Sequence, residues 1–295
     1  MSRNISSESK VVLAGIDTLE VGFCVDGYKF SDVQWYDLAE AKELARSVDF
    51  GEDMGSVNFQ GVPFVVMRSG SRRHTYTLVN DDMTVQIKPG ALGGTIYPEV
   101  HIVFRSAYLW RKNGWLDACI ETKRWVSQWA HVRETKVSRM DVMVDLAIPM
   151  PKLQHNYIEV VSRMQKKHSF VEGQKREVLV ESAMDIQQFT KGLKLTGYNF
   201  GSSELMCRMY DKTHEIKKSG KEWFKELWER SGWQEGTPVT RIEFQCRRKF
   251  LKEMSINSID DIENGLADTW RYLTEDWLKL CVVMTCPQLL YHPQC

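Results

Sequence analysis

Apolar and polar positions alternate along three stretches of the chain with the period of a β-strand. In VSRMDVMVDLAIP (137–149), Met140, Val142, Val144 and Leu146 fall on one face, and Arg139, Asp141, Met143 and Asp145 on the other. In GSSELMCRMYDKTHE (201–215), Leu205, Cys207 and Met209 oppose Met206, Arg208 and Tyr210. In TPVTRIEFQCRRKFL (237–251), Ile242, Phe244 and Cys246 oppose Arg241, Glu243, Gln245 and Arg247. A fourth strand is predicted over GIDTLEVGFCV (15–25), and several short ones between 56 and 105, separated by Gly, Asn-Asp and Lys-Pro-Gly turns. Helical spacing marks 35–48, 151–170 and 109–130, the last with Leu116, Cys119, Ile120 and Val126 as its apolar side. It returns after Tyr210, with Trp223, Phe224, Leu227 and Trp228 as a stripe, and over 254–286, with Trp270, Leu273 and Trp277.

The pattern predicts an α+β protein: a mainly antiparallel sheet with helices packed on one face and a polar, open second face. Residues 1–10 read as a disordered tail, 11–253 as one domain, whose β-rich halves are either related or alike only by chance alternation of hydrophobes, and 254–295 as a helical extension. The hint of duplication is slight: GIDTLEV (15–21) is faintly similar to RMDVMVD (139–145).

Composition narrows the chemistry. Lys plus Arg and Asp plus Glu are both 39 over 295 residues, so no global field draws the chain to a polyanion, and any such site is a local patch. Five basic clusters fit that description: 68–74, 164–168, 173–177, 217–221 and 246–252. The seven cysteines form no CxxC pair and the polar start carries no apolar run, which predicts a reduced, cytoplasmic protein without a membrane segment. The seven histidines include no pair two or four residues apart, so an ion would be held by carboxylates, as suits Mg²⁺ or Mn²⁺.

The three strands share one grammar: an arginine, a spacer, then a reactive group on the same face. They read Arg139-x-Asp141, Arg208-x-Tyr210 and Arg241-x-Glu243. Side by side they would join a tyrosine, carboxylates and guanidiniums on one surface, a site for a phosphodiester. Tyr210 is the candidate nucleophile, aided by Arg208 and by Lys212, whose charge would lower a phenol pKa of about 10. Asp141, Asp145 and Glu243 are the candidate metal ligands, although Asp141 and Asp145 stand about 13 Å apart along a straight strand. Arg139, Arg241, Arg247 and Arg248 are the candidate phosphate contacts. The indoles of Trp110, Trp115, Trp125 and Trp129 suit either helix core or base stacking.

On SRMDVMVDLAI (138–148), GYNFGSSELMCRMYDKTHE (197–215) and TPVTRIEFQCRRKFL (237–251), the chain resembles the replication initiation factor family. These are the initiators of rolling-circle plasmids, with relatives among filamentous phages and integrative-element relaxases. The resemblance runs in order along nearly the whole chain and is most specific at the tyrosine block. It implies a metal-dependent nicking and joining enzyme with Tyr210 as nucleophile and Asp141, Asp145 and Glu243 as ligands. The product would be a 5′-phosphotyrosyl strand and a free 3′-hydroxyl primer. It also implies origin DNA, double- and single-stranded, a host helicase and a homodimer as partners. A conjugative relaxase would use the same chemistry. A non-catalytic DNA-binding regulator and a metal nuclease activating water are the readings from other classes.

Overall fold

The computed structural model describes residues 10–47, 55–89, 97–111, 114–150, 158–159, 186–191 and 194–280. Of the helix predicted over 151–170 only Ile158–Glu159 are described, and they form a strand rather than a helix; the basic clusters at 164–168 and 173–177 and the last residues lie outside the described ones. The first part of the chain supplies β1 (Val11–Tyr28), α1 (Asp32–Ser47), β2 (Ser56–Phe59), β3 (Val62–Val66), β4 (Tyr76–Val79), β5 (Met83–Ile87), β6 (Val100–Phe104), α2 (Ser106–Arg111) and α3 (Trp115–Trp129). The second part supplies β7 (Ala130–Leu146), β8 (Ile158–Glu159), β9 (Ile186–Lys191), β10 (Lys194–Ser202), β11 (Leu205–Asp211), α4 (Lys212–Ser219), α5 (Phe224–Arg230), β12 (Thr240–Arg247), α6 (Arg248–Glu253) and α7 (Ile259–Arg271). A π-helical segment (Tyr272–Trp277) and β13 (Lys279–Leu280) follow. The fold is α+β, with an eleven-stranded, mainly antiparallel sheet in the order β2-β3-β4-β5-β6-β1-β7-β12-β11-β10-β9. β13 and β8 form a separate two-stranded ribbon.

The chain divides into two compact units interleaved in sequence, one of residues 16–141 and 246–265, the other of 1–15, 142–245 and 266–295. In the first, alternation drives assembly: Leu19, Val21 and Phe23 of β1 lie opposite Phe104, Ile102 and Val100 of β6, and all six are buried. An aromatic group of Tyr28, Phe30, Phe59, Trp125 and Trp129 closes this core. Trp129 is therefore core rather than a stacking platform, and the Trp110 and Trp125 indoles donate to Asp17 and to the Gln60 carbonyl. α3 is turned from the predicted orientation: Ala118, Cys119, Thr122, Val126 and Trp129 face inward, and Ile120 is 43% exposed. The helix predicted over 109–130 is also two helices, with Gly114 at φ 132° before the second.

In the second unit, Phe200, Cys207, Met209, Ile242 and Phe244 form the buried apolar side of the sheet, and Phe244 meets the edges of Trp270 and Trp277. The polar side is covered too. Asp145, Arg241, Glu243 and Gln245 are all buried, and α5 lays Trp228 against Asp145 and Phe224 against Arg241 instead of packing on the apolar face. Helical segments thus meet both sides of β12, where one covered face was expected. The four described cysteines, Cys24, Cys119, Cys207 and Cys246, are buried thiols, and none is joined in a disulfide. No helix among the described residues is long and apolar enough to cross a membrane.

Candidate active site

Tyr210 stands near the end of β11, where the chain leaves the sheet for α4. Asp211 makes that exit sharp: its side chain accepts from the His214 amide and caps the helix. Across the hairpin, Gly197 of β10 lies directly opposite Tyr210 and Asn199 opposite Arg208. A β-carbon at 197 would come 2.9 Å from the Met209 carbonyl oxygen and 3.3 Å from the Tyr210 β-carbon, so the glycine clears the space beside the tyrosine.

β12 runs beside β11 and completes the arrangement. The Tyr210 hydroxyl donates to Glu243 Oε2 at 2.9 Å. Arg208 reaches the other carboxylate oxygen, Nη1 to Oε1, at 3.6 Å and donates through Nη2 to Gln245 Oε1 at 2.6 Å. The Glu243 side chain is 6% exposed and that of Arg208 36% exposed, so the carboxylate is sheltered while the guanidinium borders solvent. The three predicted strands are therefore neighbours, in the order β7-β12-β11, and the tyrosine and the Glu243 carboxylate meet across the last two.

Next to Tyr210 is a cationic layer. The Lys212 ammonium is buried 5.7 Å from the centre of the Tyr210 ring and 4.5 Å from that of Phe224, and it donates to Glu215 Oε2 at 2.6 Å. Burial pushes the Glu215 carboxyl up, but the hydrogen bond and charge of Lys212 outweigh it and leave the group below its ordinary value. Further along the same polar face, Arg241 holds Asp145 in a two-pronged pair, Nε to Oδ1 at 2.7 Å and Nη2 to Oδ2 at 2.8 Å, with both side chains fully buried. The Trp228 indole donates to Asp145 Oδ2 at 2.8 Å, and Phe224 lies 4.5 Å from the Arg241 guanidinium.

Asp145 and Arg241 thus depart from the expected roles. Both carboxylate oxygens are occupied by donors and the guanidinium has no exposed surface, so the pair is built into the unit rather than presented to DNA or an ion. The period-2 pattern gave their face correctly, but it carried no sign that α5 would cover it.

Asp141 and Arg139 belong to the other unit. Arg139 grips Asp141 through Nε at 2.8 Å and Nη2 at 2.5 Å, and extends Nη1 to Glu20 Oε1 at 3.4 Å. His101 adds Nε2 contacts to Ser138 Oγ at 3.0 Å and Glu20 Oε2 at 3.8 Å, and burial lowers its pKa. Sequence reasoning passed over Glu20 and His101. Their only signal was position, on the polar sides of GIDTLEVGF and VHIVFRS. Arg247 is exposed at the end of β12. Arg248 instead ties α6 down, donating through Nη1 to the Val137 and Ile256 carbonyls at 3.0 Å each and through Nη2 to Asn257.

Among the described residues, no group of three or more His, Cys, Asp or Glu side chains is arranged to hold a metal ion. Of the expected ligands, Asp145 does not suit an ion, since binding would break a buried ion pair. Glu243 is less firmly tied than Asp145, with Oε2 accepting from the Tyr210 hydroxyl and Oε1 3.6 Å from Arg208, and one carboxylate plus a phosphate is a common Mg²⁺ set.

No protein-family model matches the sequence, and no curated protein matches it. Among solved structures, the chain is similar to the rolling circle replication initiator protein from Geobacillus stearothermophilus, with a TM-score of 0.45 and 14% sequence identity over 93% of this chain and 89% of that one.

Proposed function

We propose that this protein nicks one DNA strand at a rolling-circle origin through Tyr210 and later rejoins it. The observation that carries the proposal is the hydrogen bond from the Tyr210 hydroxyl to the sheltered carboxylate of Glu243, with Arg208 beside both. A phenol is a poor nucleophile until it loses its proton, and Glu243 is positioned to take it. As the Tyr210 Oη–phosphorus bond forms, the bond from phosphorus to the 3′ oxygen breaks and that oxygen takes up a proton from solvent. The strand is left with a 5′-phosphotyrosyl link and a 3′-hydroxyl, and rejoining runs the step backwards. Arg208, on the solvent side, offsets charge on the phosphate, while Gln245 fixes the angle of its guanidinium. A Mg²⁺ or Mn²⁺ ion would polarise that phosphate; held by Glu243 it would take the place of the proton on the carboxylate, so the two roles of Glu243 are alternatives. The motif resemblance at 197–215 and 237–251 agrees with this assignment.

The test is a denaturing gel for a protein–DNA adduct after incubation with Mn²⁺ and single-stranded DNA carrying the protein's own origin. Wild type is expected to form the adduct and Tyr210→Phe none. Glu243→Gln keeps an acceptor but loses the base, and should slow adduct formation by about 10²–10⁴-fold near neutral pH. Cleavage that is unchanged in Tyr210→Phe would refute the tyrosine mechanism in favour of a water nucleophile.

A further inference from the structure

The connection between β3 and β4, RSGSRRHT (68–75), carries three arginines and no carboxylate. It is also held firmly. Ser71 Oγ accepts from the backbone amides of Arg73 and His74, at 3.4 and 3.1 Å. The His74 ring is buried, with Nε2 3.1 Å from the Pro98 carbonyl and Nδ1 3.0 Å from Ser71 Oγ. Because a carbonyl only accepts, Nε2 carries the hydrogen, and Nδ1 is left to accept from the Ser71 hydroxyl. At Gly70 a β-carbon would fall 2.1 Å from the His74 carbonyl oxygen, so the turn is closed around a residue without a side chain. α1 adds two supports that are cations themselves: Lys42 donates to the Thr75 carbonyl at 2.8 Å and Arg46 to that of Arg68 at 3.1 Å.

This frame presents its charges outward. Arg72 and Arg73 are exposed. The Arg73 guanidinium lies flat against Tyr97, 3.4 Å from the ring centre, and Tyr97 is itself 48% exposed. Stacking occupies the guanidinium's face and leaves its in-plane N–H donors for an oxyanion. The ring face toward Arg73 is correspondingly closed to a base. The patch therefore has the chemistry of phosphate contact rather than of base stacking, with the Arg73 guanidinium held in advance against Tyr97 so that less side-chain entropy is lost there on binding.

We infer that the 68–75 loop is a second DNA contact, gripping the sugar–phosphate backbone of duplex DNA through Arg72 and Arg73. The loop lies wholly within the unit of residues 16–141 and 246–265 and shares no residue with the Tyr210 site. In a chain of zero net charge, such a segregated patch is what gives the protein a grip on duplex independent of the nicking site. The choice of DNA as the ligand rests on the proposed function; the basic, preformed surface does not.

The test is a salt titration of binding to a fluorescent mixed-sequence DNA duplex, comparing wild type with Arg72→Ala, Arg73→Ala and the double variant. Removing one arginine–phosphate interaction should lower the slope of log K against log salt by about 0.9, which is about 5-fold in affinity at 0.15 M salt and about 30-fold for the double variant. Arg73→Lys should keep the slope. Adduct formation on a short single strand carrying the origin sequence is measured in parallel and should be unchanged in the double variant. An unaltered duplex affinity and slope in the double variant would overturn the inference, as would a loss confined to anionic phospholipid vesicles. Loss of duplex binding in the double variant, with no adduct from wild type on that strand, would uphold the loop and discard the nicking reading; an adduct with unaltered duplex binding would do the reverse.

Discussion

Replacing Arg241 by Met tests whether the Asp145–Arg241 pair is a structural device. In the folded protein Asp145 accepts from Arg241 twice and from the Trp228 indole once, with no exposed surface on either member of the ion pair. Removing the arginine leaves a buried carboxylate with a single neutral donor, and breaking a buried pair in this way costs about 3–5 kcal/mol. Met keeps an apolar contact with Phe224, so little of the loss should come from a cavity. With a urea m-value of about 3 kcal/mol/M, the unfolding midpoint of this unit should fall by about 1–1.7 M. The double variant Arg241→Met/Asp145→Leu removes both charges and should recover most of the loss, because two apolar residues no longer require desolvation of ions. Urea unfolding followed by tryptophan fluorescence reads this directly, since Trp228 sits on Asp145. A loss below about 1 kcal/mol in Arg241→Met, as for an exposed pair, would refute the reasoning and return Asp145 to the ligand set.

Three further outcomes follow from the same geometry. Gly197→Ala places a methyl 2.9 Å from the Met209 carbonyl, so β10 and β11 must part beside Tyr210; a destabilisation of about 1–3 kcal/mol and slower adduct formation are expected, read by urea midpoint and gel. Burial lowers the pKa of both His74 and His101; at His74 the Pro98 hydrogen bond opposes it, while His101, Lys88 and Arg73 add to the lowering. A depressed histidine pKa contributes stability that is present above the unfolded value of about 6.5 and is lost as pH falls through the folded one, at no more than about 1.4 kcal/mol per pH unit each. Melting temperature should therefore drop from neutral pH toward pH 5, and the slope should flatten in His74→Gln/His101→Gln. Cys119, with its thiol pushed up to about 12 by burial, should resist iodoacetamide in the native protein and react after unfolding, as peptide mass mapping would show.

How much of this was legible in the sequence depends on whether a feature is local or needs a partner. Strand alternation put Arg208 and Tyr210 on one face and Glu243 and Gln245 on another, and the neighbouring of β11 and β12 turned these faces into one set of contacts. The cap at Asp211 is a local device too, an Asp at a strand-to-helix junction whose acceptor lies three residues from the amide it needs. Repetition of the Arg-x-acid grammar, by contrast, concealed different surroundings. Arg139 is shared with Glu20, a residue more than a hundred positions away in sequence, while Arg241 turns to Asp145.

The burial of Asp145 shows where the pattern ran out. A stripe of Trp223, Phe224, Leu227 and Trp228 reads as a helix side seeking an apolar surface, and apolar surface was available on the other side of β12. The stripe instead lies on charge, and its composition explains why it can. The Trp228 indole brings an N–H that needs an acceptor when buried, and Asp145 supplies one. The Phe224 ring brings a negative face, which meets both the Lys212 ammonium and the Arg241 guanidinium at 4.5 Å. An aromatic helix can therefore cover a polar strand face when cations and a carboxylate are already paired there, whereas an aliphatic stripe of Leu and Val would leave those groups without partners. The same cover stops short of Tyr210, which is half-buried, and of Arg208, which borders solvent. The helix that takes Asp145 out of reach thus leaves Tyr210 and Arg208 at the margin of the polar face, both bound to the sheltered carboxylate of Glu243.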